Sequence, residues 1–292
     1  MTIISIRDVN LFVKVIGQGY PLVLMHGGPG ADHSTLLPLQ PLADRFTLVF
    51  YDHRCNGRSR GAEATSMTWE NLTADADALR QKLGFDRWAV LGHSFGGMVA
   101  LEYALRYPQC LSHLILMDTC GDTRWAQQNA PEFLAKRGYS ASAVGAARRF
   151  FNGELEPKEF LPSMMKFGKA YYYRSNFLSL VLEVFKGGLR VKMRPEAQIY
   201  AFSQLLPGWT VMDRLSEINV PTLVLAGRHD FQFPPEHQAI LADRLPHAQL
   251  ELIERAGHNA HAERSTEVIE AVKGFLDAAK PGVHGPSGHL TR

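Results

Sequence analysis

Apolar residues along this chain fall into short, nearly unbroken runs at 10–16, 22–26, 47–51, 88–92, 114–118 and 222–227, separated by stretches where they recur every three or four positions. Runs of that length and continuity predict strands covered on both faces, and the spacing between them predicts helices. Residues 68–83 read as one helix, with Thr68 as N-cap and Gly84 as stop, and residues 95–107 as another, ended by Pro108. Strand, turn, helix and strand then follow one another over 88–118. Repeated right-handed crossovers of this kind build an α/β fold with a mostly parallel, doubly wound sheet, whose chemistry sits at the carboxyl ends of the strands.

The alternation stops near Thr119 and resumes near Pro221, and residues 121–208 read as helices and loops. The organisation expected is a core from 1–120 and 210–279, an inserted helical cap at 121–209 and a flexible tail at 280–292 that is rich in Gly, Pro and His. Residues 121–210 hold 15 of the 29 aromatic residues, which suits both a small core within the cap and the roof of an apolar pocket. Trp125, Tyr172, Trp209 and Phe231 are the candidate substrate-binding side chains.

Composition narrows the function classes. The 292 residues are 46% hydrophobic and 21% charged, with a formal charge of +2, too small and too evenly spread for a surface that tracks phosphates. Nucleic acid is not an expected partner. No run approaches the roughly 18 apolar residues of a membrane span, and the first ten residues lack a secretory layout, so a cytoplasmic protein without a membrane partner is expected. Cys55, Cys110 and Cys120 have no CxxC spacing, and neither a structural metal nor a cofactor is expected.

The chemistry begins at Gly92-His93-Ser94-Phe95-Gly96-Gly97, which follows a buried strand and opens a helix. As a bare string Gly-x-Ser-x-Gly arises by chance in about one chain in ten, but the strand-turn-helix context gives it meaning. A serine on that sharp turn needs small neighbours, which Gly92 and Gly96 provide. A serine hydroxyl also needs a base and an acid that orients it. His258, in a Gly-marked loop after the run at 250–253, is the candidate base, with His261 as runner-up. His93 adjoins the nucleophile and points the wrong way, while His113, His229, His237 and His247 read as surface or loop residues. Asp230 follows the run at 222–227 and is the candidate acid, with Asp118 as rival. His26-Gly27-Gly28-Pro29-Gly30 offers an unobstructed backbone, and the N–H groups of Gly28 and Phe95 form the expected oxyanion hole, each donor worth about 3 to 4 kcal/mol of barrier. A phosphate-binding loop is the alternative for the glycines, but the Lys-Ser/Thr and GxGxxG signatures are missing.

These residues resemble the α/β-hydrolase superfamily, specifically the branch that contains proline iminopeptidases and related esterases and lactonases. The resemblance rests on 26–30, 92–97, 227–230, Gly257-His258 and Asp52-His53-Arg54-Cys55-Asn56-Gly57-Arg58-Ser59, the last similar to that branch's Asp-Gln-Arg-Gly-x-Gly-x-Ser loop with His53 for Gln and Cys55 for Gly. It implies an α/β-hydrolase fold with an inserted helical cap, and a supporting loop in which Arg54 or Arg58 holds carbonyls and Cys55 is a packed thiol. Iminopeptidases of this type bind a free amino terminus with glutamates, one of which follows the triad aspartate in some members. Phe231 stands there in this chain, and an apolar ring cannot offset the desolvation of an ammonium group. The expectation is a cofactor-free serine hydrolase of small-molecule carboxylic esters or lactones, with an N-acyl homoserine lactone as a candidate substrate. The alternatives are an aminopeptidase helped by Glu154 or Glu183, a small-molecule receptor on the same fold, or a perhydrolase using the same triad. Metal-dependent lactonase chemistry is disfavoured, since no His-x-His-x-Asp-His cluster is present.

Overall fold

All six apolar runs become strands of one eight-stranded sheet in a computed structural model that describes residues 2–174 and 191–278. The expected tail and Glu183 lie outside the described residues. The strands are β1 (Thr2–Ile6), β2 (Val9–Ile16), β3 (Tyr20–Met25), β4 (Phe46–Tyr51), β5 (Trp88–His93), β6 (Leu111–Met117), β7 (Thr222–Gly227) and β8 (Ala248–Ile253). Their spatial order is β1-β2-β4-β3-β5-β6-β7-β8. The pairings β1–β2 and β2–β4 are antiparallel and the remaining five are parallel. The edge strand β1 did not stand out as a strand in the sequence, because it leaves most of its length exposed, and of the other edge strand, β8, only the apolar run at 250–253 stood out.

Two cores flank the sheet. On one face α1 (Trp69–Lys82) and α2 (Phe95–Arg106) pack with Trp88, Val90, Val99 and Leu101. Thr68 caps α1 through a side-chain bond from the Asn71 N–H, and Gly84 takes a positive φ of 75° just past its end. On the other face Leu22, Leu24, Leu91, Ile115, Leu223 and Leu225 meet the 3-10 segment His33–Asp44 and the last described helix, Ser265–Ala278. The strand expected at 114–118 begins three residues earlier. Its first turn hides in the polar pair Ser112-His113, and His113, expected at the surface, is buried with Nδ1 at 3.1 Å from Ser112 Oγ and its ring edge-on to Phe275.

Between β6 and β7 the described residues form the helices α3 (Arg124–Lys136), α4 (Ala141–Phe151), α5 (Pro157–Phe167) and α6 (Pro195–Tyr200). Phe150 is the hub of its interior, with ring centroids 4.4 Å from Phe202, 5.0 Å from Phe151 and 5.5 Å from Phe167. Much of the aromatic density of this segment therefore holds the insertion together. After β7 come α7 (Pro235–Asp243), the single turn α8 (Ala260–Glu263) and α9 (Ser265–Ala278).

Candidate active site

Strand β5 passes into α2 through Ser94, which sits at φ 53° and ψ −121°, a conformation an L-residue adopts only under strain of about 1–3 kcal/mol. Its neighbours make the turn possible. A Cβ on Gly92 would lie 2.4 Å from the Gly96 carbonyl oxygen, and one on Gly96 would lie 2.0 Å from that of Met25. The turn is held from β6, where Met117 O accepts the Ser94 N–H at 3.0 Å and Thr119 Oγ1 donates to Ser94 O at 2.7 Å.

The hydroxyl so presented meets two groups from distant parts of the chain. Ser94 Oγ lies 2.9 Å from His258 Nε2, and His258 Nδ1 lies 2.8 Å from Asp230 Oδ2. The Asp230 carboxylate only accepts here, taking the N–H groups of Gln232 at 2.8 Å and Phe233 at 3.3 Å on Oδ1. Nδ1 therefore donates to Oδ2, which leaves the Nε2 lone pair for the serine proton. Asp230 and His258 are buried and Ser94 is half-buried, so the chain of hydrogen bonds opens toward solvent or substrate at the serine end. Such an arrangement can withdraw a proton from a hydroxyl as it attacks an electrophilic carbon.

The rivals for these roles are bonded elsewhere. His93 donates Nε2–H to the His258 carbonyl at 3.0 Å, and His261 donates Nε2–H to the Thr35 carbonyl at 3.0 Å. Burial lowers the proton affinity of both rings, His261 to about 4. Asp118 accepts the Gly227 N–H, and burial together with the nearby Asp230 pushes its carboxyl well above the usual range. His93, Asp118 and His261 each bring one ligand-capable atom within 4.8 Å of the others, as do Asp32, His33 and Asp52. Asp52 is already engaged by the His33 backbone and ring, and Asp32 by Ser34, Arg58 and the Lys192 N–H.

Phe95 occupies the first position of α2, where a backbone N–H has no acceptor within the helix. Gly27 and Gly28 run alongside: a Cβ on Gly27 would lie 2.9 Å from Ser94 Cβ, and Gly28 adopts φ +62°. This loop is fastened from outside the core sheet. Asn56 Oδ1 accepts the Gly30 N–H, and Gly30 O accepts the Arg194 N–H at 2.7 Å. Arg54, expected to hold carbonyls, instead donates to the carboxylates of Asp75 and Asp8, because it is fully buried and needs charge partners; Arg58 pairs with Asp32. Cys55 packs its thiol on the Glu63 carbonyl, and burial raises its proton affinity, the reverse of an activated nucleophile. All three cysteines are free.

With this geometry in place, a family model described as alpha/beta hydrolase fold matches residues 20–265. The chain belongs to that family, in its proline iminopeptidase-like branch. This hydrolase is 30% identical over 268 residues to a proline iminopeptidase of Lactiplantibacillus plantarum, covering 88% of this chain and 92% of that one. A proline iminopeptidase-related protein of Thermus thermophilus superposes with a TM-score of 0.79 at 23% identity, covering 97% of this chain and 98% of that one. An enol-lactonase of Burkholderia xenovorans superposes at 0.72 and 22% identity, covering 94% and 100%. Among the described residues, no helix is long and apolar enough to cross a membrane.

Around the serine of this hydrolase the side chains are aromatic. Tyr171 stands edge-on to His258 at 5.4 Å and to Phe231 at 5.0 Å, while Phe233 lies 5.7 Å from His258. On the other side Trp69 bridges Phe95 at 5.9 Å and Trp209 at 4.9 Å. Of the pocket residues expected from sequence, Phe231 and Trp209 therefore belong to this neighbourhood. Trp125 instead lies against His237 at 4.2 Å, and Tyr171, not its neighbour Tyr172, is the ring that meets His258. Sequence reasoning took Tyr172 rather than Tyr171 from the run Tyr171-Tyr172-Tyr173 as a candidate, and missed Phe233 and Trp69, although the alternation Phe231-Gln232-Phe233 was a visible signal.

Proposed function

We propose that this protein is a serine hydrolase of carboxylic esters or lactones with an apolar acyl part. The observation that carries the reading is the continuous path from Ser94 Oγ through His258 to Asp230, with links of 2.9 and 2.8 Å, at a strained strand-to-helix turn. In this mechanism Ser94 Oγ attacks the carbonyl carbon while its proton passes to His258 Nε2. Asp230 fixes the ring and stabilises the imidazolium. The N–H groups of Gly28 and Phe95 bind the oxyanion. Collapse expels the alkoxide, which takes the proton from His258. A water that gives its proton to His258 then attacks the acyl-enzyme and releases the acid. In a lactone the leaving alcohol stays attached to the acyl group, so one opened hydroxy acid results.

Aromatic surroundings favour an uncharged acyl group. Among the described residues, three carboxylates of this neighbourhood are engaged: Glu102 by Trp209 Nε1 and Arg106, Asp122 by Arg124, and Glu263 by two backbone amides. Glu154, which an aminopeptidase would need, is exposed and accepts from Asn152. The second reading, an aminopeptidase, rests on relatives named proline iminopeptidase that match over most of the chain. The deciding experiment compares p-nitrophenyl butyrate, an N-acyl homoserine lactone and proline p-nitroanilide on wild type and Ser94→Ala. Ester or lactone turnover lost in Ser94→Ala is expected. Turnover of the anilide alone would replace this reading with the peptidase, and equal rates in the two proteins would end both.

A further inference from the structure

The loop that carries His258 is tied to the helical insertion by one carboxylate. Glu263, in the single turn α8, accepts the Gly257 N–H on Oε2 at 2.6 Å and the Tyr173 N–H on Oε1 at 2.8 Å. Its two oxygens therefore reach two chain segments about 85 residues apart in sequence: the residue before the imidazole, and the stretch at 171–173 that follows α5. The two segments lie in direct contact along their length. A Cβ on Gly257 would fall 2.8 Å from the Tyr171 carbonyl oxygen and 2.9 Å from the Tyr172 carbonyl carbon. The Asn259 N–H donates to Tyr171 O at 3.3 Å, and the Tyr171 ring closes on the imidazole and on Phe231.

We propose that Glu263 is a positioning residue for the base: by holding Gly257 against the 171–173 segment it fixes the His258 ring within reach of Ser94, a role that rests on the serine-hydrolase reading. The chemistry requires a carboxylate here. Two N–H donors converge on it, and a carboxylate offers an acceptor oxygen to each, whereas the amide of glutamine offers one oxygen and turns an NH2 group toward the other donor. Aspartate keeps the charge but is one methylene shorter and cannot span both amides. Since the imidazole has to sit within hydrogen-bond distance of the hydroxyl, slack of about 1 Å in the loop is enough to cost on the order of 100-fold in rate.

The test uses the full chain, with Glu263→Gln and Glu263→Asp as two independent variants. Glu267→Gln, in the next helix at an exposed ion pair with Arg264, serves as the control. A fluorophosphonate probe reports the rate of Ser94 modification and counts competent sites, so that kcat is expressed per labelled site rather than per mass of protein. The expected result is a fall of tenfold or more in both kcat and labelling rate for both Glu263 variants, at unchanged KM for p-nitrophenyl acetate, with the control equal to wild type. A merely structural role would lower Tm and the labelled fraction but leave kcat per labelled site within twofold, and that outcome overturns the proposal. So does a rise in KM with kcat unchanged. A wild type that the probe does not label at Ser94 removes the serine-hydrolase reading and this proposal with it, whereas a labelled wild type matched by its variants removes this proposal alone.

Discussion

Asp118 accepts the Gly227 N–H on Oδ1 at 2.8 Å, so the end of β6 holds the turn from which Asp230 projects. Its other oxygen, Oδ2, has no hydrogen-bond partner, and burial beside Asp230 pushes this carboxyl well above its usual range. Asp118 is therefore a buried tether whose proton affinity is raised. In the unfolded chain an aspartate releases its proton near 3.9, and the folded protein holds it to higher pH. The stability associated with this group is accordingly complete below about pH 4 and is lost as pH rises toward the folded value. Asp118→Asn, which retains the acceptor without an ionisable proton, is expected to keep activity within about threefold and to flatten the fall of Tm as pH rises above about 4. Asp118→Ala leaves the Gly227 N–H unpartnered and should cost about 1–3 kcal/mol. A loss of activity in Asp118→Asn as large as in Asp230→Asn would refute the tether.

Buried imidazoles contribute to the acid side of the stability profile. His26, His53, His93 and His261 are buried, and desolvation lowers the proton affinity of each, His261 to about 4. Unfolded, such a ring takes its proton near 6.5; folded, it takes it only at lower pH. Stability is thus complete above about pH 6.5 and drains as pH falls toward the folded values, by about 3 kcal/mol for His261 alone. Both ring nitrogens of His53 lack a hydrogen-bond partner. His53→Gln should lower the slope of Tm against pH between 7 and 5 in differential scanning calorimetry, and equal slopes would show that His53 does not contribute.

The sheet and the hydrogen-bonded trio were legible for the same physical reason: the strands of the sheet carry apolar runs, and each of Ser94, Asp230 and His258 follows such a run at a loop. The order of those runs along the chain therefore placed all three at one edge. What stayed hidden depended on contacts between segments remote in sequence. Arg54 turned out to face Asp75 and Asp8, and His113 turned out to lie inside a strand whose first residues are polar. Tyr171 could not be told from Tyr172 in an irregular stretch, where no period says which side chain turns inward. Glu263 carries no signal in the sequence, because nothing in its own neighbourhood shows that two backbone amides come to meet it.

Gly96 is a sharper test of the turn than Ser94 itself, because it carries no chemistry. A methyl group there would lie 2.0 Å from the Met25 carbonyl oxygen and 2.6 Å from that of His26, both backbone atoms of the neighbouring strand and loop. Backbone cannot yield as a side-chain tip can, so α2 has to move away from β3 and take Phe95 with it. Gly96→Ala is expected to lower kcat more than 100-fold and to destabilise the fold by about 1–3 kcal/mol. Near wild-type ester turnover in a folded Gly96→Ala would mean that Ser94 does not need this turn.

Asn56 tests the proposed oxyanion loop separately from the hydrogen-bonded trio. Its Oδ1 accepts the buried Gly30 N–H, and its Nδ2 donates to the Arg54 carbonyl at 2.6 Å, so one side chain joins the loop at 26–30 to the loop after β4. The trio bonds through none of these atoms. Asn56→Ala strands the Gly30 N–H and the Arg54 carbonyl, with a cost of about 1–3 kcal/mol for each buried group left without a partner. The loop keeps a second fastening, the Arg194 N–H on Gly30 O, so it should loosen rather than detach. A looser donor weakens binding of the oxyanion more than binding of the ground-state carbonyl, since charge develops only during attack. The expected result is therefore a roughly tenfold fall in kcat with KM nearly unchanged, measured on p-nitrophenyl butyrate well below the lowered Tm. An effect confined to KM would place Gly28 outside the oxyanion hole and leave Phe95 to supply its donor alone.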